Sequence, residues 1–331
     1  MRARSWLILL LIAAASSSCS CLRGRVAAGA GGSARVAQQG AQSLILQPTG
    51  LARGQAPAPL AAGAVRIALI GDFGNGSPEE QAVARLVLGW DPAVLVTAGD
   101  NVRPDPNEGR LDSHVGGVYG SLPGAARGGA PEASRRFWPV PGNHDWHASD
   151  GIQTYLDYFR LPGNGRYYDA SIAGGRVHLF ALDSDAHEPD GVGEHSAQAL
   201  WLEPRLRASK ACLNLVVFHH PPFSSGEHGG AAELRWPFRA WGAGAVVSGH
   251  DHTYERLEVD GLPYFVDGLG GAPAYRFGAP LPETKVRWNH KHGALLLTVA
   301  PESLTWEFWT WDGERVDRLE QPAHCPAPAA R

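Results

Sequence analysis

Cysteine is scarce in this chain: 331 residues contain four, with no C-x-x-C spacing, so neither a disulfide scaffold nor a cysteine-held zinc ribbon is available. Any metal must be held by other side chains. A basic excess is missing too. The formal net charge is −4, which leaves nothing to neutralise a nucleic-acid backbone or an anionic bilayer, and neither is expected as a partner. Glycine and proline make up about a fifth of the chain, below the level of a disordered or collagen-like composition, and no repeat period is evident. The apolar run from Trp6 to Ala15 is shorter than the roughly 18 residues a spanning helix needs.

With Arg2 and Arg4 before it and Ser16, Ser17 and Ser18 after it, that run reads as an export signal over residues 1–18. The small residues ahead of Cys19 fit a bacterial lipoprotein cleavage box, although Ser16 stands where Leu or Val is preferred. The expected location is therefore periplasmic or extracellular, with a lipid on Cys19 as the only link to a membrane. Residues 19–64, rich in Ala, Gly and Gln, read as a flexible tether, residues 65–325 as one α/β domain, and 326–331 as a tail.

From Val65 the texture changes. Short apolar runs that read as buried strands recur at Val65–Ile70, Ala93–Thr97, Val177–Leu182, Leu213–Phe218 and Ala245–Val247. Between the first two, Ser77, Pro78 and Glu80 form a capping box, and Val83, Leu86, Val87 and Trp90 make the buried face of a helix. A second helix over Ser196–Ser209 is expected to bend or break at Pro204. Ala294–Val299 and Leu304–Trp311 read as antiparallel strands.

Five segments place oxygen or imidazole ligands after such strands: Gly71-Asp72-Phe73-Gly74, Gly99-Asp100-Asn101, Gly142-Asn143-His144-Asp145, Phe218-His219-His220 and Gly249-His250-Asp251-His252. One alone would be a turn or a core histidine. Five in this order point to one sheet edge, because parallel strands gather their C-terminal ends there. The series resembles the calcineurin-like metallophosphoesterase superfamily (GDxG, GDxx, GNH[DE], a strand-end His, GHxH). The wording PVPGNHD, HHPPFSSGEHG and SGHDHTYER is most similar to its purple acid phosphatase branch.

The resemblance implies two packed mixed β-sheets flanked by helices in four layers. It also implies two metal ions, Fe, Zn or Mn, with Asp72 and His252 on the first, Asn143, His219 and His250 on the second, and Asp100 bridging. His144 and His228 are the catalytic candidates, facing the phosphate. His220 is expected to turn away from the metals, and His290 and His292 to be unrelated to them. The branch places a tyrosinate three residues after the bridging Asp; here Arg103 stands there, which puts ferric iron in doubt. Arg cannot ligate a cation, so it either clamps a substrate phosphate oxygen or lies at the surface.

The expected reaction is hydrolysis of a phosphate monoester on a small substrate. The two ions acidify a shared water, the hydroxide attacks phosphorus in line, and His144 or His228 protonates the leaving oxygen. A phosphodiesterase or nucleotidase would use the same core, and Trp146, His147, Tyr155, Tyr254 and Tyr275 either stack on a base or simply pack. A degenerate phosphate- or glycan-binding lipoprotein is the reading from another class. No protein partner is evident. Cys212 and Cys325 either pair or remain free thiols.

Overall fold

In strand β1 (Val65–Ile70) side chains alternate between two buried clusters, Ile67 and Leu69 entering one and Ala68 and Ile70 the other. A strand covered on both faces lies inside a layered structure. The computed structural model describes residues 56–323 and Cys325. The export signal, Cys19 and most of the tether therefore lie outside the described residues. Among those described, no helix is long and apolar enough to cross a membrane.

β1 pairs in parallel with β2 (Val94–Thr97), which pairs in parallel with β3 (Phe137–Trp138). The second sheet is built from β4 (Tyr168–Ile172), β5 (Val177–Ala181), β6 (Leu213–Val217), β7 (Ala245–Ser248), β8 (Tyr254–Val259), β9 (Leu262–Asp267) and β10 (Thr284–Trp288). Its order is β10-β8-β9-β7-β6-β5-β4, with β5, β6, β7 and β9 parallel. β11 (Gly293–Val299), β12 (Ser303–Thr310) and β13 (Arg315–Pro322) return to the first sheet, in the order β13-β12-β11-β1-β2-β3. The C-terminal strands are antiparallel, as their alternation predicts.

Between the sheets, Ile67, Leu69 and Val96 pack in one cluster with Leu215, Val217 and Val247. Outside the first sheet lies helix α1 (Pro78–Gly89), buried through Val83 and Val87; outside the second lies the helix Ala197–Ala208, buried through Leu202 and Leu206. These are the four layers the sequence leads one to expect. Local details differ. Ser77 Oγ accepts from Glu80 N, but Glu80 accepts from Gly76 N, because Ser77 N is taken by Asn75 Oδ1. Leu86 is half-buried. The helix Ala197–Ala208 runs unbroken through Pro204: the amide proline lacks would have served the carbonyl of Leu200, a residue 65% exposed and so on the solvent side of the helix.

Cys212 and Cys325 are joined in a disulfide across 113 residues of chain. Of the two alternatives left open by the sequence, this is the paired one. Such a bond limits the unfolded ensemble, so Cys325→Ser is expected to cost about 2–4 kcal/mol, read as a lower denaturant midpoint, with an unchanged rate per folded molecule.

Candidate metal centre

The C-terminal ends of β1 and β2 in one sheet and of β6 and β7 in the other open onto the same edge, and the loops that follow carry Asp72, Asp100, His219, His250 and His252. Asn143 arrives from the loop after β3. Asp72, Asp100 and His250 have φ of 56°, 53° and 69°, in the left-handed region that non-glycine residues avoid. Three such residues at one edge mark a place where backbone strain is tolerated for side-chain placement. The motif glycines have a steric cause. A Cβ on Gly142 would sit 2.3 Å from Asp100 Oδ1, and one on Gly249 2.5 Å from Asp72 Oδ2.

His219 Nδ1 lies 2.8 Å from the carbonyl oxygen of Ala98, which only accepts, so Nδ1 carries the proton. Nε2 then faces Asp100 Oδ1 at 3.3 Å and Asn143 Oδ1 at 3.1 Å, and Asn143 Oδ1 is also 3.1 Å from His250 Nδ1. Acceptor atoms facing one another call for a positive charge among them. The titration of these groups points the same way. Burial works against a charged His219, yet the Asp100 and Asp72 carboxylates raise its pKa to about 9. Burial also opposes the charge on Asp100, but His219 and Arg103 hold its carboxyl far below the ordinary range. Asp72, Asp100 and His219, all buried, are a group able to hold a metal ion. Within that group Asp72 is also engaged by His250 N and Arg103, whereas Asp100 and His219 converge with Asn143 and His250; this carboxylate, amide oxygen and pair of imidazoles suit Zn, Mn or Fe, so the donor set fits one ion at the second position.

The first position does not fit. Arg103 turns inward, and its Nη1 lies 2.7 Å from Asp100 Oδ2, 2.9 Å from His252 Nε2 and 3.4 Å from Asp72 Oδ1. Those are the three residues expected to hold the first metal. Arg103 is neither at the surface, with 18% of its side chain exposed, nor held out toward a substrate.

The structure places both catalytic candidates beside this cluster. His228 is exposed, its ring stacked on His250 at 4.4 Å, while His144 donates its backbone N–H to Asp100 Oδ1 at 2.9 Å and turns Nδ1 to the carbonyl of Pro104. His220 departs from expectation. Its ring packs 4.3 Å from that of His250 and its Nδ1 meets Ser184 Oγ at 2.9 Å, because β6 ends at Val217 and strand alternation no longer governs direction. His292 bonds the carbonyl of Ala272 and His290 packs on Trp288, away from the converging ligands as expected. Tyr155 and Tyr254 are core residues with their hydroxyls on Pro139 and Asp317, whereas Tyr275 stacks on His252 at 3.8 Å.

Two aspartates were not singled out by the sequence. Asp251, between His250 and His252, accepts from His228 N at 2.8 Å and from Ser224 Oγ, and so fixes the loop that presents His228. Buried Asp145 accepts at Oδ2 from Gly142 N, Asn101 N and Asn101 Nδ2 at 2.8, 3.2 and 2.9 Å, tying the loop of Asn143 to that of Asp100. The run of polar residues around each was the available signal. Asp145→Ala strands these donors and is expected to destabilise the fold by about 2–4 kcal/mol, measured by denaturant titration.

Two mixed sheets between helix layers, with Asp, Asn and His side chains on one shared edge, define a metallophosphoesterase-like sandwich. A sequence profile for calcineurin-like phosphoesterases matches residues 65–254, and the chain belongs to that family. It is distantly related to purple acid phosphatases. Purple acid phosphatase 17 of Arabidopsis thaliana is 25% identical over 253 residues, covering 65% of this chain and 70% of that protein. Purple acid phosphatase 4 of the same plant is 22% identical over 303 residues, covering 80% and 85%. Among solved structures, the chain is similar to GAP50, the anchor in the inner membrane complex of Plasmodium, with a TM-score of 0.63, 16% identity and coverage of 80% and 90%. The purple acid phosphatase PPD1 of yellow lupin gives 0.61 at 16% identity, with 80% of this chain covering 55% of that one. At such identities the structures share the fold.

Proposed function

We propose that this edge hydrolyses phosphate monoesters. The observation that carries the reading is the convergence of Asp100 Oδ1, Asn143 Oδ1, His219 Nε2 and His250 Nδ1, with the exposed His228 ring against His250. A divalent cation held there supplies Lewis-acid polarisation of a phosphoryl oxygen and lowers the pKa of water beside the ester. The chain's own residues do the rest. The guanidinium of Arg103, set between Asp72 and Asp100, offsets one of the two carboxylate charges, so that a divalent cation beside it leaves the edge net positive toward the dianion of a monoester. His228, exposed above His250, passes a proton to the leaving alkoxide. His144 is less suited to that step, since burial lowers its pKa and its Nδ1 is engaged by Pro104. Tyr275 and His252 form a flat wall beside the site.

The substrate in this reading is a small phosphorylated molecule met outside the cytoplasm. The Cys212–Cys325 bond supports an oxidising compartment, in keeping with the export signal read from residues 1–18. Release of the aryl alcohol from an aryl phosphate and from a bis(aryl) phosphate, side by side on metal-replete protein, tests the substrate class. The monoester is expected to react at least about tenfold faster. A faster diester would make the chain a diesterase, and tight phosphate binding without turnover would make it a binding protein.

A further inference from the structure

The side chain that replaces the tyrosinate does more than remove a ligand. Three atoms expected on a first metal, Asp72 Oδ1, Asp100 Oδ2 and His252 Nε2, all point at Arg103 Nη1. His252 Nδ1 is 2.8 Å from the carbonyl of Pro273 and so bears the ring proton, which leaves the Nε2 lone pair aimed at the guanidinium. Asp72 Oδ2 meanwhile accepts from His250 N at 2.8 Å, so its other oxygen is the one free to meet a cation. At the backbone, Arg103 N donates to the carbonyl of Gly74 at 3.0 Å, which fixes the root of the side chain beside Asp72.

A metal in that place would need the same three atoms at about 2.0–2.2 Å. Nη1 already lies between them, and a guanidinium neither gives up its proton at accessible pH nor has a lone pair to offer a metal. Two cations cannot share the space. We propose that Arg103 is a built-in substitute for the first metal, so that the protein holds a single ion, on Asp100, Asn143, His219 and His250. The guanidinium sets a positive charge against Asp72 and Asp100 and holds both in position, as a metal would, but cannot acidify water and carries no redox chemistry. Asp72 and His252 thus become positioning residues for Arg103.

The inference rests on the metal-site reading above but not on which ester is cleaved. Its test is metal content by mass spectrometry of wild type, Arg103→Ala and Arg103→Tyr after loading with excess Mn, Zn or Fe and removal of free ions. Wild type is expected to hold about one ion per chain and both variants about two. In iron-loaded Arg103→Tyr, a visible absorption band from a phenolate on ferric iron should appear that wild type lacks. Two ions in wild type overturn the proposal. So does one ion in folded Arg103→Ala and Arg103→Tyr, because the guanidinium would then not be what closes the position. No ion in any of the three overturns the metal-site reading itself, and the substitute with it, whereas one ion without phosphatase activity leaves the proposal standing and removes the proposed reaction.

Discussion

Asp100→Asn is expected to lower turnover of an aryl phosphate about a thousandfold or more while leaving the protein folded. Asp100 is the side chain on which everything at the edge depends: Oδ1 takes the backbone N–H of His144 and faces His219 Nε2, and Oδ2 takes Arg103 Nη1 at 2.7 Å. An amide keeps the shape but removes the charge. Its oxygen can serve one side only, and its NH2 then faces either the guanidinium or the His144 amide, two donors against a donor. His219, whose pKa is raised to about 9 chiefly by this carboxylate against the effect of burial, loses its main counter-charge. The electrostatic trap for a cation is dismantled while the sheets behind it, packed through Leu69, Val96, Val217 and Val247, are untouched. Steady-state phosphate release, metal content and circular dichroism of the variant check this. Activity within about tenfold of wild type would mean that Asp100 is not part of the reacting centre.

His228→Ala should lower the rate by about a hundredfold on an alkyl phosphate and leave metal content unchanged. The ring is exposed and stacks on His250 rather than entering the cluster of converging donors, so its removal subtracts a proton donor and no ligand. The readout that separates this role from a merely structural one is the leaving group. An aryl phosphate departs as a stabilised phenolate that needs little protonation, so the loss should shrink with aryl substrates and persist with alkyl ones. Equal losses on both would place His228 in substrate binding. Asp251→Asn, which loosens the hold on His228 N, is expected to give a smaller version of the same pattern.

The sequence carried the frame of this site because strand-end residues are placed by the backbone. An apolar run followed by Gly-Asp or Gly-His puts the polar residue at a C-terminal edge whatever its neighbours do, and Asp72, Asp100, His219 and His250 were legible for that reason. The glycines were legible as motif letters, but their cause, a Cβ on Gly142 meeting Asp100, needed the second loop in place. Side-chain direction beyond a strand end was not legible. His220, expected to face away, packs on His250, and Arg103, expected at a phosphate or at the surface, turns into the cluster because Asp100 on its own loop and Asp72 and His252 on two others present acceptors to it. Tyr155 and Tyr254 could be told from Tyr275 only once the cores were formed.

The measurement that bears most directly on the account is phosphate release from an aryl phosphate by the protein loaded with Mn, Zn or Fe, repeated after stripping with a chelator and again after the ion is restored. Release by the loaded protein, loss on stripping and recovery on restoration are expected. Undiminished release in the presence of chelator, or none with any of the three ions, would contradict it.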